Sequence, residues 1–473
     1  MIVFKYDERT QKQGKQNPTP NKRRGKFEDK LLIVKKAITE RLRLKRELGL
    51  LSTTMMGVGG AISAGVFVTL GYASSLAGSS LIIVMIVGGI INLLTMLSFA
   101  ELGTALPHAG GEYTWVRIAY EGFVPFATGW FEWTSNIFYA AFCSLGLGNL
   151  LSYMFPELNG VYLAVATIVL FTLVNFKGIR ETGIVQTVLV VSLLLILVAF
   201  IVKGLLSPSS FDFVLSSPQG VSGILRASAY VFVIYLGGEA IVAAQAEVKT
   251  PEKTITRAVV LSCLILIFFY SLISLVIFRV VTPEELAAQA SPLSFVAERI
   301  MGSTGVIAIT FAGVIAALTS VNTSIMAQSR VAYAMARDGY FPSFCFKLHG
   351  TFCTPWVSIL IGSGIAIVTV LTAGITFVTY ATDFGFIMGF IFVNLSLIKL
   401  RSKMPILARP YKVPFYPLTP LLGIGTSLLL LVFLDRVTQL TGITLLMLSW
   451  LVYTIRVERR KPNPVNLEEM SKE

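Results

Sequence analysis

Apolar blocks, free or nearly free of charge, recur along the whole chain and leave it few ways to fold. The first runs from Leu48 to Gly78 without a single Asp, Glu, Lys or Arg. A helix needs about 20 apolar residues to cross the hydrocarbon core of a bilayer. By that measure twelve spans are expected, at 50–76, 80–105, 124–150, 160–176, 184–206, 222–246, 258–281, 303–328, 356–374, 377–398, 418–435 and 439–455. Charged residues make up only 14% of the chain, and mean hydropathy is +0.74. Soluble domains carry about 25% charge and show amphipathic stripes rather than solid blocks. The expected fold class is an all-α polytopic membrane protein, not a β-barrel.

Charge then orients the chain. The first 48 residues hold 15 Lys+Arg against 6 Asp+Glu, so they supply +9 of the formal +13. With both termini in the cytoplasm, every Lys and Arg except Lys203, Arg226, Arg279, Arg299 and Arg436 falls inside, the sense of the positive-inside rule. A multi-pass cell-membrane protein with inward loops at 106–123, 177–183, 247–257, 329–355 and 399–417 is expected. Residues 1–28 are polar and aperiodic, the composition of a disordered basic tail. No cleavable signal is evident in them. In 29–47, Leu31, Val34, Ile38 and Leu42 recur at helical spacing among Lys35, Lys36, Arg41 and Arg43. That pattern fits either an interfacial amphipathic helix drawn to anionic lipid or a flexible charged tail. The basic balance belongs to the tail, so nucleic acid is not an expected partner.

Span 1 carries GVGGAISAGVF, Gly57 to Phe67, with the weakest helix formers mid-span. Span 6 carries YLGGE, Tyr235 to Glu239. Five spans separate the two, so the interruptions have opposite orientation. Such a pair is the best sequence pointer to a transporter site at an inverted repeat. Breaking a helix in hydrocarbon frees backbone groups that must meet protein, water or a polar ligand. N–H groups opening the second half-helix at Ile62–Gly65 favour a carboxylate, and carbonyls closing the first half favour an ammonium. A small site offering both suits a zwitterionic amino acid.

Glu239 is the acid nearest the second break, and it is read both as a functional ionisable group and as a tie for the loosened segment. Glu132, in WFEWTSN with Asn136, and Asp383 are weaker candidates. Glu132 is expected near the inner interface and Asp383 near the outer end of its span, either of them open to solvation. CFKLHGTFC, Cys345 to Cys353, lacks a standard zinc spacing, so no metal is expected there. No Gly-x4-Gly-Lys-Ser/Thr motif for ATP occurs. The two histidines, His108 and His349, lie in loops, which argues against an enzyme.

Together these residues resemble the amino acid permeases of the amino acid–polyamine–organocation (APC) superfamily, from about Arg46 to Gly423. GGAISAGVF in span 1 is similar to the family's glycine-rich signature. AELGTALPHAGGEYTWV from Ala100 resembles its second-span exit, and GGEAIVAAQAEVKTPEKTI its sixth-span element. NTSIMAQSRVAYAMARDGYFP from Asn322 and RPYKVPFYPLTPLLG from Arg409 are similar to its later motifs. The resemblance implies a LeuT-type fold. The first five-helix repeat would cover 48–206, the second 222–398, an inward loop and two additional helices 399–455, and a cytoplasmic tail 456–473.

It also implies site roles. Ile62, Ser63, Ala64 and Gly65 would receive the substrate carboxylate, and the carbonyls of Ala61, Val233 and Leu236 the amine. Phe232, Val233 and Tyr235 would line the side-chain pocket and outer gate, with Gly237 and Gly238 completing the second break. Ser63 stands where the family usually has glycine, which adds a hydroxyl able to contact substrate or ion. Leu193 stands where some proton-coupled members carry a lysine. Thr319 and Ser320 sit where sodium-coupled relatives place hydroxyls, but small polar residues also mediate helix packing, which is the favoured reading. Na+ or H+ remain the coupling candidates, and no cofactor is implied. The expected function is secondary active transport of an amino acid or related amine by alternating access, through symport or exchange. The rival is an amino acid-sensing receptor on the same fold, which would bind without net flux.

Overall fold

The computed structural model describes residues 48–106, 111–177, 183–208, 215–243, 248–352 and 354–457. The basic N-terminal segment, His108, Cys353 and the tail beyond 457 lie outside these residues. Among the described residues the chain is helical throughout, apart from turns and one isolated parallel bridge between Leu48 and Val248. Nine helical runs there are long and apolar enough to cross a membrane. Three further apolar helices, Gly220–Tyr235, Trp356–Thr372 and Leu418–Phe433, are shorter.

The helices follow in order. The first block yields α1 (Leu50–Ala61), α2 (Gly65–Val68) and α3 (Leu70–Ala77). Then come α4 (Leu81–Ala105), the short α5 (Gly111–Ala119), α6 (Phe123–Met154), α7 (Gly160–Lys177) and α8 (Gly183–Leu206). The second break lies between α9 (Gly220–Val231) and α10 (Glu239–Ala243). It is followed by α11 (Pro251–Val280), α12 (Pro283–Ala287), α13 (Pro292–Met301) and α14 (Ser303–Arg337). Last are α15 (Trp356–Thr372), α16 (Ile375–Lys403), α17 (Leu418–Phe433) and α18 (Arg436–Val452).

Local chemistry sets several ends. Pro251, Pro283 and Pro292 each open a helix at a position that has no N–H bond to lose. Thr282 and Glu285 close a reciprocal capping box on α12, and the Asp435 carboxylate accepts the N–H groups of Val437 and Thr438 to start α18. The expected span at 222–246 is not one helix. It tightens to a 3₁₀ turn over Phe232–Tyr235, extends at Leu236 and resumes at Glu239.

α6 is the hub, packed by α5, α7, α14, α15, α16 and α18, while α1 lies against α8, α10 and α11. The outward surface carries exposed Leu173, Leu195, Phe268, Phe311, Leu371 and Val432, as a lipid-facing wall should. Small and polar residues turn inward instead. In the middle of α16, Asn394 accepts the Ser98 hydroxyl at 2.7 Å and donates to the Thr95 hydroxyl at 3.0 Å, tying it to α4. At the C-terminal ends of α4 and α16 the fully buried Glu101 receives Arg401 Nε at 2.8 Å, Arg409 Nε at 3.3 Å and the Val413 N–H at 2.7 Å. A second ionic cluster joins Asp338 at the end of α14 to Arg117, and to the Tyr113 hydroxyl at 2.8 Å.

Candidate functional site

One face of α6 organises the site. Glu132, Asn136, Tyr139 and Cys143 recur at intervals of four, three and four residues, so they line a single stripe. One turn further on, Gly146 lets α6 approach Ala64, whose Cβ would lie 2.5 Å from a side chain added there. The stripe therefore runs directly beneath the break between α1 and α2.

The break itself has defined geometry. Ile62, with φ −72° and ψ 84°, closes an inverse γ-turn in which the Ser63 N–H reaches the Ala61 carbonyl at 2.8 Å. The Gly65 N–H donates to Ser63 Oγ at 3.1 Å, so the serine hydroxyl satisfies an N–H at the start of α2. The Tyr139 hydroxyl donates to the Gly60 carbonyl at 3.2 Å. Both it and the Cys143 thiol face the Ser63 and Ser320 side chains. Ser320 Oγ is buried without a hydrogen-bond partner among the described residues. Thr319 is different: its hydroxyl donates to the carbonyls of Ile315 and Ala316, within its own helix, and keeps its oxygen lone pairs as acceptors.

The second break meets the first backbone to backbone. Gly237 has φ +134°, a conformation that L side chains rarely adopt, and a Cβ on it would fall on the backbone of Gly60 and Ala61. From the other side, a Cβ on Gly60 would lie 2.9 Å from the Gly237 carbonyl oxygen. Gly65 likewise faces Ile234 Cγ2, 2.8 Å from where a Cβ would be. The Leu236 N–H returns to the Val233 carbonyl at 3.3 Å, and the Ile234 carbonyl accepts the Tyr270 hydroxyl at 2.9 Å. A carbonyl oxygen has two lone pairs, so those of Ala61 and Val233 keep acceptor capacity.

The sequence-predicted residues thus divide. Ala61 to Gly65, Phe232, Val233 and Gly237 converge at the two breaks, and Phe232 packs on Phe390 of α16 with ring centroids 5.7 Å apart. Tyr235 turns to α4 and α11: its hydroxyl donates to the Met85 carbonyl at 2.5 Å, and its ring meets Tyr270 at 5.2 Å. Gly238 faces the Met96 sulfur. Glu239 Oε2 accepts the Gly237 N–H at 2.6 Å, which ties down the loosened segment. Glu239 also lies within electrostatic reach of Glu132 and Glu112, while Asn136 donates to the Glu132 carbonyl at 2.8 Å. Glu239 Oε1 and Glu132 Oε2 have no partner among the described residues. Asp383 is not solvated, as a place near the end of its span would suggest. It is fully buried. Leu193 is also buried. Among the described residues no group of His, Cys, Asp and Glu forms a metal site.

Tyr139, Cys143, Ile234, Tyr270 and Glu112 were not singled out from the sequence. The α6 stripe was legible in the spacing of Glu132, Asn136, Tyr139 and Cys143. The other three carry no local signal.

A profile of the amino acid permease family matches residues 48–455, which include both breaks, the α6 stripe and α16. The chain belongs to the amino acid permease family. Over 451 residues this permease is 26% identical to the methylthioribose transporter of Bacillus subtilis, covering 90% of its own length and 96% of the relative. It is 27% identical over 432 residues to the branched-chain amino acid permease BcaP of the same organism, covering 87% and 92%. With the serine/threonine exchanger SteT, also of Bacillus subtilis, it shares 28% over 407 residues, covering 83% and 92%. This permease is a multi-pass membrane transporter and not an enzyme.

Proposed function

We propose that this permease carries an amino acid or a related amine across the cell membrane by alternating access, with the head group held where the two broken helices meet. One observation carries the proposal: Gly60 and Gly237, from breaks far apart in sequence, touch through their backbones. There the last turn of α1 meets the unwound backbone of the second break in the bundle interior. The N–H groups entering α2 suit the carboxylate, and the spare lone pairs of Ala61 and Val233 suit the ammonium. Phe232 and Val233 are at most 1% exposed, so the closed site excludes water.

The nine long helical runs and three shorter apolar helices fit twelve spans, arranged as two inverted five-helix repeats plus two. Both termini then face the cytoplasm, with the Glu101 and Asp338 clusters at the inner end. Ser63, Thr319 and Ser320 are the hydroxyls placed for a coupling cation: Thr319 donates its proton within its own helix, which leaves its oxygen lone pairs available. The relatives are named for a thiosugar and for several amino acids, so their names leave the substrate side chain open.

The test is uptake of a labelled amino acid panel into proteoliposomes, with sodium, pH gradient and internal substrate varied separately. Saturable uptake or exchange is expected, and Gly65→Leu should abolish it by driving a side chain into Ile234 and Phe142. Binding with no flux under any gradient would turn the reading to a receptor. Unchanged uptake by Gly65→Leu would remove the head-group assignment.

A further inference from the structure

At the end of the bundle opposite Glu101, three tyrosines from three helices close on one another. Tyr72 of α3 lies edge-on to Tyr230 of α9 at 4.7 Å, Tyr230 to Tyr380 of α16 at 5.0 Å, and Tyr72 to Tyr380 at 6.4 Å. Exposure falls steeply through the group, from 38% at Tyr72 to 2% at Tyr230. One helical step below Tyr380 on α16 is Asp383, at 0% exposure and within electrostatic reach of Tyr230. Both of its carboxylate oxygens are buried without a hydrogen-bond partner among the described residues. The neighbouring threonines do not serve it: Thr379 and Thr382 return their hydroxyls to the Ile375 and Val378 carbonyls. Asp435, the other acid near Tyr380, is committed to the N–H groups that it caps.

An ionised carboxylate buried with neither a cation nor a donor costs several kcal/mol, so Asp383 carries its charge when a cation reaches it and a proton otherwise. Aromatic rings grouped beside a carboxylate suit an organic cation, since ring quadrupoles and the acid both attract positive charge. Asp383 shares its helix face with Phe386, Ile387 and Phe390, at intervals of three, four and seven residues. Phe386 packs on Tyr139, and Phe390 on Phe232 of the second break. Asp383 therefore stands roughly 5–10 Å along the helix axis from the breaks, at about 1.5 Å rise per residue. That is about the reach of a basic side chain whose head group lies between the broken helices.

We propose that Asp383, with Tyr72, Tyr230 and Tyr380, forms a subsite for a positively charged side chain, so that the permease prefers cationic amino acids or diamines to neutral ones. The inference rests on the transport reading above. It is tested with the full chain in proteoliposomes, by kcat/KM for labelled lysine and labelled leucine. Wild type should favour lysine, and Asp383→Asn should lower the lysine-over-leucine ratio at least tenfold. Asp383→Glu should recover part of the ratio. Tyr230→Phe, which keeps the ring, should hold it better than Tyr230→Leu. Thermal melting and monodispersity of each variant separate misfolding from lost recognition. Leucine uptake by wild type with no preference for lysine would overturn the subsite, as would a ratio unchanged by Asp383→Asn in folded protein. No uptake or exchange of any amino acid by wild type would instead overturn the transport reading, and the subsite with it.

Discussion

Gly60→Ala separates helix propensity from the contact between the two breaks, because the two effects have opposite sign. Gly60 lies in the last turn of α1, where replacing glycine by alanine ordinarily stabilises a helix by about 0.5–1 kcal/mol. In this fold the new methyl would lie 2.9 Å from the Gly237 carbonyl oxygen and 3.2 Å from its Cα. The obstacle is backbone, which cannot swing away as a side chain can. Overpacking of that kind costs about 1–3 kcal/mol, so a net loss of roughly 1 kcal/mol, and up to about 2, is expected. Gly364 on α15 is the control, since nothing lies within 4 Å of its Cβ direction. Melting of the purified permease in detergent should show Gly364→Ala at or above wild type and Gly60→Ala below it. Transport should fall as well, because about 1.4 kcal/mol at the closed contact changes a population tenfold. If Gly60→Ala melts with the control and transports at the wild-type rate, the two breaks do not bear on each other as described.

Three further substitutions probe the supports of the site. Ser63→Ala leaves the buried Gly65 N–H without its acceptor, and should cost about 1–3 kcal/mol of stability, read by melting, unless bound substrate replaces the hydroxyl. Glu101→Gln strands two arginines and should destabilise by about 3–5 kcal/mol, with protease cleavage appearing first near Val413. On α12, outside the spans, Arg299 and the Thr282 N–H hold the exposed Glu285 carboxyl below the usual range. A lowered folded pKa gives stability that is complete above the unfolded value of about 4.3 and is lost as pH falls through the folded one. Glu285→Gln should therefore cost little at neutral pH, because the pair is exposed, and the difference from wild type should vanish in acid.

What was legible in the sequence is what local chemistry determines. Solid apolar blocks gave the all-helical membrane class, with nine helices among the described residues long enough to cross, and glycine clusters at Gly57–Gly65 and Gly237–Gly238 marked where helices stop. The spacing of the α6 stripe was there to read, but only Glu132 and Asn136 of it were singled out. Partner choice was not legible, since it depends on which helices meet. Nothing near Gly60 points to Tyr139, and nothing near Glu101 points to Arg401, 300 residues away. Asp383 shows the same limit: distance from a helix end suggested solvation, while packing by α6 and α9 buries it. Ser63 was read as a hydroxyl able to contact substrate or ion, and one of its lone pairs already serves Gly65. A side chain's availability is a property of its neighbours.

The two ends of the bundle are held by forces of different size, and this bears on which end yields first. At one end α16 is fixed to α4 by a fully buried carboxylate shared between two guanidiniums and a backbone N–H. Losing one partner there costs about 3–5 kcal/mol, because it leaves a charge stranded in low dielectric. At the other end α16 meets α3 and α9 through edge-on tyrosine contacts, worth about 0.5–1.5 kcal/mol each beyond the area they bury. Separating rings exposes surface but strands no charge, and water can solvate the three hydroxyls. Between the two ends, the Gly60–Gly237 contact has no side chains to interdigitate, so it can part without repacking a core. Under the alternating-access reading proposed above, the tyrosine end is expected to be the cheaper one to open, uncovering Asp383 before the breaks are reached.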